Sequence, residues 1–473
     1  MRHIFYLLLS TAIAIVTLTG CINDDFTTSP SDLLAFSADT VKFDTVITKQ
    51  GTATKQFVIY NKSNKQLNIS SIQVAGTSDA KFYLNVDGTK GNEFHNIEVR
   101  GKDSIYVFVE GYIDELSKDE PTEFNDRIDF ETNGVKQSVV LNAWGQDVVR
   151  LSHAVIDHDT HFTSHKPYLI YDSLTIEENA TLTIDPGATL LFHDKAWLKA
   201  LGTVKALGTQ EQPISLRGDR LDHVVGGISF DIMSSQWGGV ALMGYNNEFN
   251  YVDMHSSAWG LQVASQDPTQ RSLRLFNSVL HNSGTQCLLA TNAWVEAEGT
   301  EFSDAPEGVA TFIAGKVRIT QCTFANYYLF KAIKGANIVL FNQDEAGQFA
   351  PMDCRIDNSI SYGLGLDIND IASEKNIMGT NIYFHNVLFK SKGSDDTHFF
   401  NCVWEGDPKF KVNRDKYIFD YRLNNESHAI AKGDRSLCPK SARYDRFGND
   451  RFARDGIDLG AYAWVAEPQA QNQ

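Results

Sequence analysis

The stretch "LTIEENATLTIDPGATLLF", residues 174–192, carries an apolar-x-apolar triplet every eight residues. The triplets are Leu174-Thr175-Ile176, Leu182-Thr183-Ile184 and Leu190-Leu191-Phe192, with Gly, Asn, Asp and Pro in the gaps. A three-residue strand points its first and third side chains to one side and its second to the other. Three such strands with their turns make one coil of about 22 to 24 residues. A lone coil cannot bury its apolar side; coils stacked about 4.8 Å apart bury one another's. The pattern continues through Leu198-x-Ala200, Val204-x-Ala206 and Ile214-x-Leu216.

Downstream the repeat returns in a second register. "NSVLHNSG" (277–284), "GTEFSDAP" (299–306) and "QCTFANYY" (321–328) superpose Leu280, Phe302 and Phe324 at intervals of 22 residues. "NSISYG" (358–363), "HNVLFK" (385–390) and "NCVWEG" (401–406) continue it less regularly. Such a period belongs to solenoids, and the Leu-x-x-Leu-x-Leu consensus of leucine-rich repeats is absent. Asn277, Asn282, Asn326, Asn358, Asn386 and Asn401 fall near the turns, where positive φ suits Asn, and stacking would let them bond as a ladder.

Residues 35–147 have a different rhythm. Phe57 and Ile59 alternate, as do Leu67 and Ile69, Ile105, Val107 and Val109, and Ile128 and Phe130. Period-two alternation broken by turn residues predicts half-buried strands. Seven or more of them in about 110 residues predict an Ig-like β-sandwich. "FVIYNKSNKQLNISSIQV" and "VRGKDSIYVFVE" resemble the spindle/flagellar-type Ig module. No Cys lies in this span, so it is not the disulfide-pinned antibody type.

The N-terminus reads as an export signal. A positive start, Met1-Arg2-His3, precedes an apolar run from Ile4 to Leu18 and then "LTGC", ending at Cys21. This stretch resembles the lipobox of bacterial lipoproteins, which implies lipid attachment at Cys21 and an outer-membrane lipoprotein tethered through its lipid. Asp24 and Asp25 follow, and that acidic tail resembles the surface-export signal of Bacteroidetes lipoproteins. Beyond Cys21, the five cysteines Cys287, Cys322, Cys354, Cys402 and Cys438 form no C-x-x-C pair and read mostly as small buried apolar residues, though export permits one disulfide. The formal charge of −17 opposes nucleic-acid phosphates, so no nucleic-acid partner is expected.

From about residue 150 to 465 the chain resembles the right-handed parallel β-helix proteins of the pectin-lyase-like superfamily. The resemblance rests on "PYLIYDSLTIEENATLTIDPGATLLF", "GTVKALGTQEQPISLRG" and the closing "DRFGNDRFARDGIDLGAYAW". The expected fold is therefore all-β: an Ig-like β-sandwich followed by a right-handed single-stranded parallel β-helix. The expected organisation is a signal peptide (1–20), a lipidated tether (21–34), the sandwich (35–147), the β-helix (148–430), and a final coil with a C-terminal cap (431–473).

Candidate chemistry is sparse. His158 and His161 sit in "HAVIDHDTHFTSH" at a spacing that can hold a metal, though the stretch reads first as an exposed lead-in strand. Asp395 and Asp396 in "GSDDTHFF" form an adjacent acid pair without the partner motifs of polygalacturonase-like hydrolases, which favours a solvated loop. Asp367, Asp370 and Glu374 beside Lys375 offer oxygens and a base of the kind a calcium-dependent lyase uses, and fit a polar loop equally well. Trp237, Trp259, Trp294, Phe399, Phe400 and Trp404 read first as packing, with sugar-binding rings as the alternative.

The expected function is thus an exported, outer-membrane-anchored, non-catalytic lipoprotein presenting a β-helix for carbohydrate binding, adhesion or surface structure. The alternative is a polysaccharide lyase or glycoside hydrolase of the same superfamily. No cofactor is expected, with Ca2+ reserved for the lyase alternative; a polysaccharide is the expected ligand, and the sequence leaves the oligomeric state open.

Overall fold

Short strands separated by turn residues dominate the computed structural model, which describes residues 25–223, 228–342, 350–369 and 381–468. The chain divides into two compact units, 1–147 and 148–473. Among the described residues, the helical elements are short 3-10 turns and no helix is long and apolar enough to cross a membrane.

In the first unit, alternation builds two five-stranded sheets. One contains Leu34–Phe36, Lys55–Asn61, Ser104–Tyr112, Lys81–Val86 and Thr89–Gly91. The other contains Thr40–Ile47, Val135–Gln146, Thr122–Thr132, Leu67–Val74 and Glu93–Val99. Phe57, Ile59, Val107 and Val109 of one sheet share a core with Ile69, Ile72, Ile128 and Phe130 of the other. The strand Val135–Gln146 runs parallel to Thr40–Ile47 and antiparallel to Thr122–Thr132.

The second unit is a stack of parallel strands with the topology of a β-helix. The long strand Tyr168–Ile176 shows how it begins. Its first part pairs in parallel with Thr189–Phe192 and its second part with Trp197–Ala200, so one strand feeds two faces. The first face continues through Gly239–Leu242, Leu261–Ala264, Leu288–Thr291, Ala310–Ile313 and Ile338–Phe341. The second face is a ten-stranded sheet from Thr160–Phe162 to Phe399–Phe400. The third face runs from Thr189–Phe192 through Ile214–Gly218, Val252–His255, Val279–His281, Glu301–Ser303, Thr323–Asn326 and Ile360–Gly363 to Leu388–Phe389.

The triplets point as expected. Leu174, Ile176, Leu182, Ile184, Leu190 and Phe192 are buried in one continuous core, whereas Thr175 and Thr183 are part-exposed. Leu280, Phe302 and Phe324 sit in register on the third face, with the last two rings stacked 5.1 Å apart. Ser361 continues this column and Phe389 follows.

Turn chemistry repeats with the coils. Tyr251, Asn277, Gly299, Gln321, Asn358, Asn386 and Asn401 all adopt positive φ between the second and third faces. Each backbone N–H from Tyr251 to Asn386 donates to a carbonyl of the next coil, so the bends stack as the strands do. Asn282 also has positive φ, but Asn326 ends a strand and does not; Gly363 of the next coil packs against its backbone. The expected Asn ladder is absent among these residues. Asn277, Asn358 and Asn386 instead donate to the carbonyls of Tyr444, Asp434 and Lys432, because the C-terminal segment offers nearer acceptors.

That segment corrects the expected C-terminal boundaries. Coils end near Trp404, where Phe399 stacks on Phe384 and Trp404 on Phe389 and together they cover the last core residues. Phe410–Asn413 and Ile418–Leu423 form an antiparallel pair, turned at Tyr417 (φ 56°), rather than further coils. Residues 431–468, expected as a last coil and cap, lie along the third face. Arg451 there donates to Gln321, and Ala461 N–H donates to Thr323. Outward Ile360 and Leu388 are buried against Leu423, Ala429 and Leu459, which is why the segment settles on this face.

The described cysteines Cys287, Cys322, Cys354, Cys402 and Cys438 carry free thiols, and all but part-buried Cys402 are buried.

Candidate functional site

On the third face, inward Met254, Leu280 and Phe302 fill the core, so their strand neighbours must face outward. Register aligns those outward residues in two columns. Asp253, Val279, Glu301 and Thr323 form one; His255, His281, Ser303 and Ala325 form the other. The C-terminal segment crosses over them and leaves a cleft of about 650 Å³. Its walls include Tyr251, Phe419, Arg422, Arg446 and Phe447, above a floor of Asp253, His281, Glu301 and Asp304.

Two carboxylates anchor the covering segment. Glu301 accepts from Ser303 Oγ at 2.6 Å and from Tyr462 OH at 2.5 Å. Asp304 accepts from Tyr421 OH at 2.6 Å and from the Tyr327 backbone N–H at 2.8 Å. Burial pushes both carboxyls above the usual range, Asp304 to about 6, although these hydrogen bonds pull the other way.

Nearer the opening lies a second group. His281 Nε2 is 3.1 Å from Asp253 Oδ1, while the Asn282 amide donates to His281 Nδ1 at 2.9 Å, which places the ring hydrogen on Nε2. Burial disfavours charge on Asp253. The His281 hydrogen bond and the charges of His281, His255 and Arg446 outweigh that, holding the carboxyl below its ordinary value. Burial likewise works against charge on His281, and the Asp253 contact with the neighbouring carboxylates overrides it upward. His255 lies beside His281, ring centroids 4.9 Å apart. Burial, then the His281 charge, lower its pKa. Its Nδ1 is 2.8 Å from Ser256 Oγ, and that hydroxyl donates to the Asp231 carbonyl, so Nδ1–H is the donor and Nε2 keeps its lone pair. Although closely surrounded, 38% of the Asp253 side chain and 23% of the His281 side chain remain exposed. Arg446 donates to the Asn277 carbonyl at 2.7 Å and brings Nη2 to 3.9 Å from Asp253 Oδ2.

The residues singled out from sequence lie elsewhere. His158 pairs with Asp157 at 2.7 Å and His161 with Asp185 at 3.4 Å, both exposed, so different carboxylates take the two imidazoles. Asp395 accepts from the N–H groups of Asn401 and Cys402 and from the Trp404 indole, and Asp396 accepts from the His398 and Phe399 N–H groups. These acids hold a turn. Asp367 is buried and accepts from Ser391 N–H at 2.7 Å; burial raises its pKa despite that bond. Cys21, Asp370, Glu374 and Lys375 fall outside the described residues. Trp237 packs on Phe192 at 4.2 Å, whereas Trp259 is half exposed.

No protein-family model and no curated protein sequence matches the chain. Among solved structures, it is similar to the catalytic unit of a thermostable GH87 alpha-1,3-glucanase from Streptomyces thermodiastaticus. That alignment has 12% identity, covers 73% of this chain and 72% of the other, and has a TM-score of 0.24. A protein from Porphyromonas gingivalis aligns at 10% identity over 26% of this chain and 59% of its own, with a TM-score of 0.18. A family 123 glycoside hydrolase from Clostridium perfringens aligns at 9% identity over 26% of each chain, with a TM-score of 0.17. The chain thus spans about a quarter of that hydrolase's length. Likenesses this weak carry no argument about reaction or substrate.

Proposed function

We propose that the protein is an exported, outer-membrane-anchored lipoprotein whose third-face cleft binds a carbohydrate chain without cleaving it. Lipid on Cys21 would tether it to the membrane, and the chain would continue as an Ig-like N-terminal unit and a right-handed, pectin-lyase-like β-helix. The cleft's composition carries the ligand class. Exposed Phe447 and part-exposed Phe419 and Tyr251 offer ring faces, while Arg446, Asp253 and His281 offer directional polar groups to hydroxyls. Non-catalysis is favoured because Glu301 and Asp304 each spend both carboxylate oxygens on internal donors, and hydrolysis needs two carboxyls free to act on one bond.

One observation favours the hydrolase as a second reading. Asp253 is held low while Asp304 is lifted to about 6, the kind of split that separates a base from an acid. Incubation with a panel of neutral and uronic-acid glycans decides between them. Saturable binding without new reducing ends or unsaturated products supports the binding reading, and turnover supports the enzyme. Absence of both binding and turnover would overturn the carbohydrate assignment. Membrane fractionation tests the anchor: Cys21→Ala should move the protein from the membrane to the soluble fraction, and unchanged partition would contradict lipidation.

A further inference from the structure

Asp253, His255 and His281 stand on two consecutive rungs and each presents a ligating atom, all of them within 4.8 Å of one another. Tetrahedral coordination with bonds of about 2.0–2.1 Å places neighbouring ligand atoms about 3.3 Å apart. The Asp253 oxygen and His281 nitrogen already lie at 3.1 Å. We infer that these three side chains form a binding site for a divalent first-row transition metal at the floor of the third-face cleft.

Two nitrogens and one carboxylate oxygen suit Zn2+ and its neighbours better than Ca2+ or Mg2+, which prefer all-oxygen shells. His255 is the anchoring ligand. The Ser256 hydroxyl takes its Nδ1–H, which fixes the ring and turns the Nε2 lone pair outward from that contact, the support that ligating imidazoles ordinarily receive. His281 must move its hydrogen from Nε2 to Nδ1 to ligate, and Asn282 can meet that change by presenting its carbonyl oxygen in place of its amide nitrogen. Arg446 opposes a cation at this place, while Glu301 and Asp304 on the next rung favour one. Three protein ligands leave a coordination position toward the cleft for water or a ligand oxygen.

The site does not depend on the glycan reading, so it is tested without glycan. Chelator-treated protein is titrated with Zn2+ by calorimetry, and Co2+-loaded protein is examined for visible d–d bands. The expected result is one equivalent of Zn2+ per chain, weakened at least tenfold by His255→Gln, His281→Gln or Asp253→Asn, with the Co2+ bands lost in His255→Gln. A double variant of the exposed pair, His158→Ala with His161→Ala, should bind as the parent does. Melting of each metal-free variant confirms that it is folded; if His255→Gln is not, folded His281→Gln takes its place. Absence of stoichiometric Zn2+ binding, undiminished binding by the folded histidine variant, or loss of binding only in the His158/His161 variant would overturn the site.

Discussion

The second and third faces of the stack are built from strands of the same kind and meet opposite fates on their outer sides. On the second face burial alternates along strands such as Thr203–Leu207, Trp294–Glu298 and Gly315–Thr320. Its outer residues make a partly solvated ladder in which Arg271 reaches Glu248 and Glu296, and Arg318 reaches Asp353. On the third face alternation is lost where the C-terminal segment lies closest, and Glu301–Ser303 and Thr323–Asn326 are buried throughout. Both faces supply the same inward core; the difference lies in the C-terminal segment lying across one of them. A covered outer side is where polar groups acquire shifted pKa values and converge on a cleft.

Inward positions set the scale on which this contrast is judged. Leu182→Asp buries an unpaired carboxyl between coils and should cost at least about 4 kcal/mol, enough to prevent folding, while Thr183→Asp stays within about 0.5 kcal/mol. Equal urea midpoints for the two would break the inward assignment. Phe302→Ala should cost about 3–5 kcal/mol by opening a cavity beneath the stacked Phe324 ring.

The outer side of the third face comes next. Tyr462→Phe removes the buried donor to Glu301 and should cost about 1–3 kcal/mol, whereas Arg271→Ala on the second face should cost under about 1 kcal/mol. Asp304 adds a pH signature. Its folded pKa, about 6, lies above the unfolded 3.8, so its favourable contribution is complete below the unfolded value and is lost as pH rises through 6. The stability of the parent relative to Asp304→Asn should therefore fall between pH 4 and 6, by about 3 kcal/mol in order of magnitude. A flat difference across that window would contradict the buried carboxyl.

How much of this was legible in the sequence follows from the same contrast. Inward residues recur with the coil, so Leu280, Phe302 and Phe324 reveal their register by apolar spacing alone. The same alignment puts Asp253 with Val279 and Glu301, and His255 with His281 and Ser303, but nothing in those columns distinguishes them from solvated outer residues. What makes them a site is the contact of Tyr421, Arg446 and Tyr462 from more than a hundred residues away, and no local pattern encodes that contact. Runs that looked chemical, such as "GSDDTHFF", were conspicuous because adjacent acids stand out in a string. Asp395 and Asp396 spend their oxygens on nearby N–H groups and an indole instead. Asn326 shows a similar local ambiguity: it has the residue type of a bend and the conformation of a strand end, because Gly363 lets the next coil approach closely.

Thr320 and Thr323 give the most direct test of the difference between the faces. They lie three residues apart on one coil, both pointing outward, Thr320 on the second face beside Glu298 and Asp357, and Thr323 under the Ala461 backbone. Lysine is placed at each position in turn and stability is measured by urea unfolding at neutral pH. The predicted result is a loss of about 3–5 kcal/mol for Thr323→Lys and a change within about 0.5 kcal/mol for Thr320→Lys. Equal stabilities for the two variants would mean that the segment does not cover the third face, and the cleft would go with it.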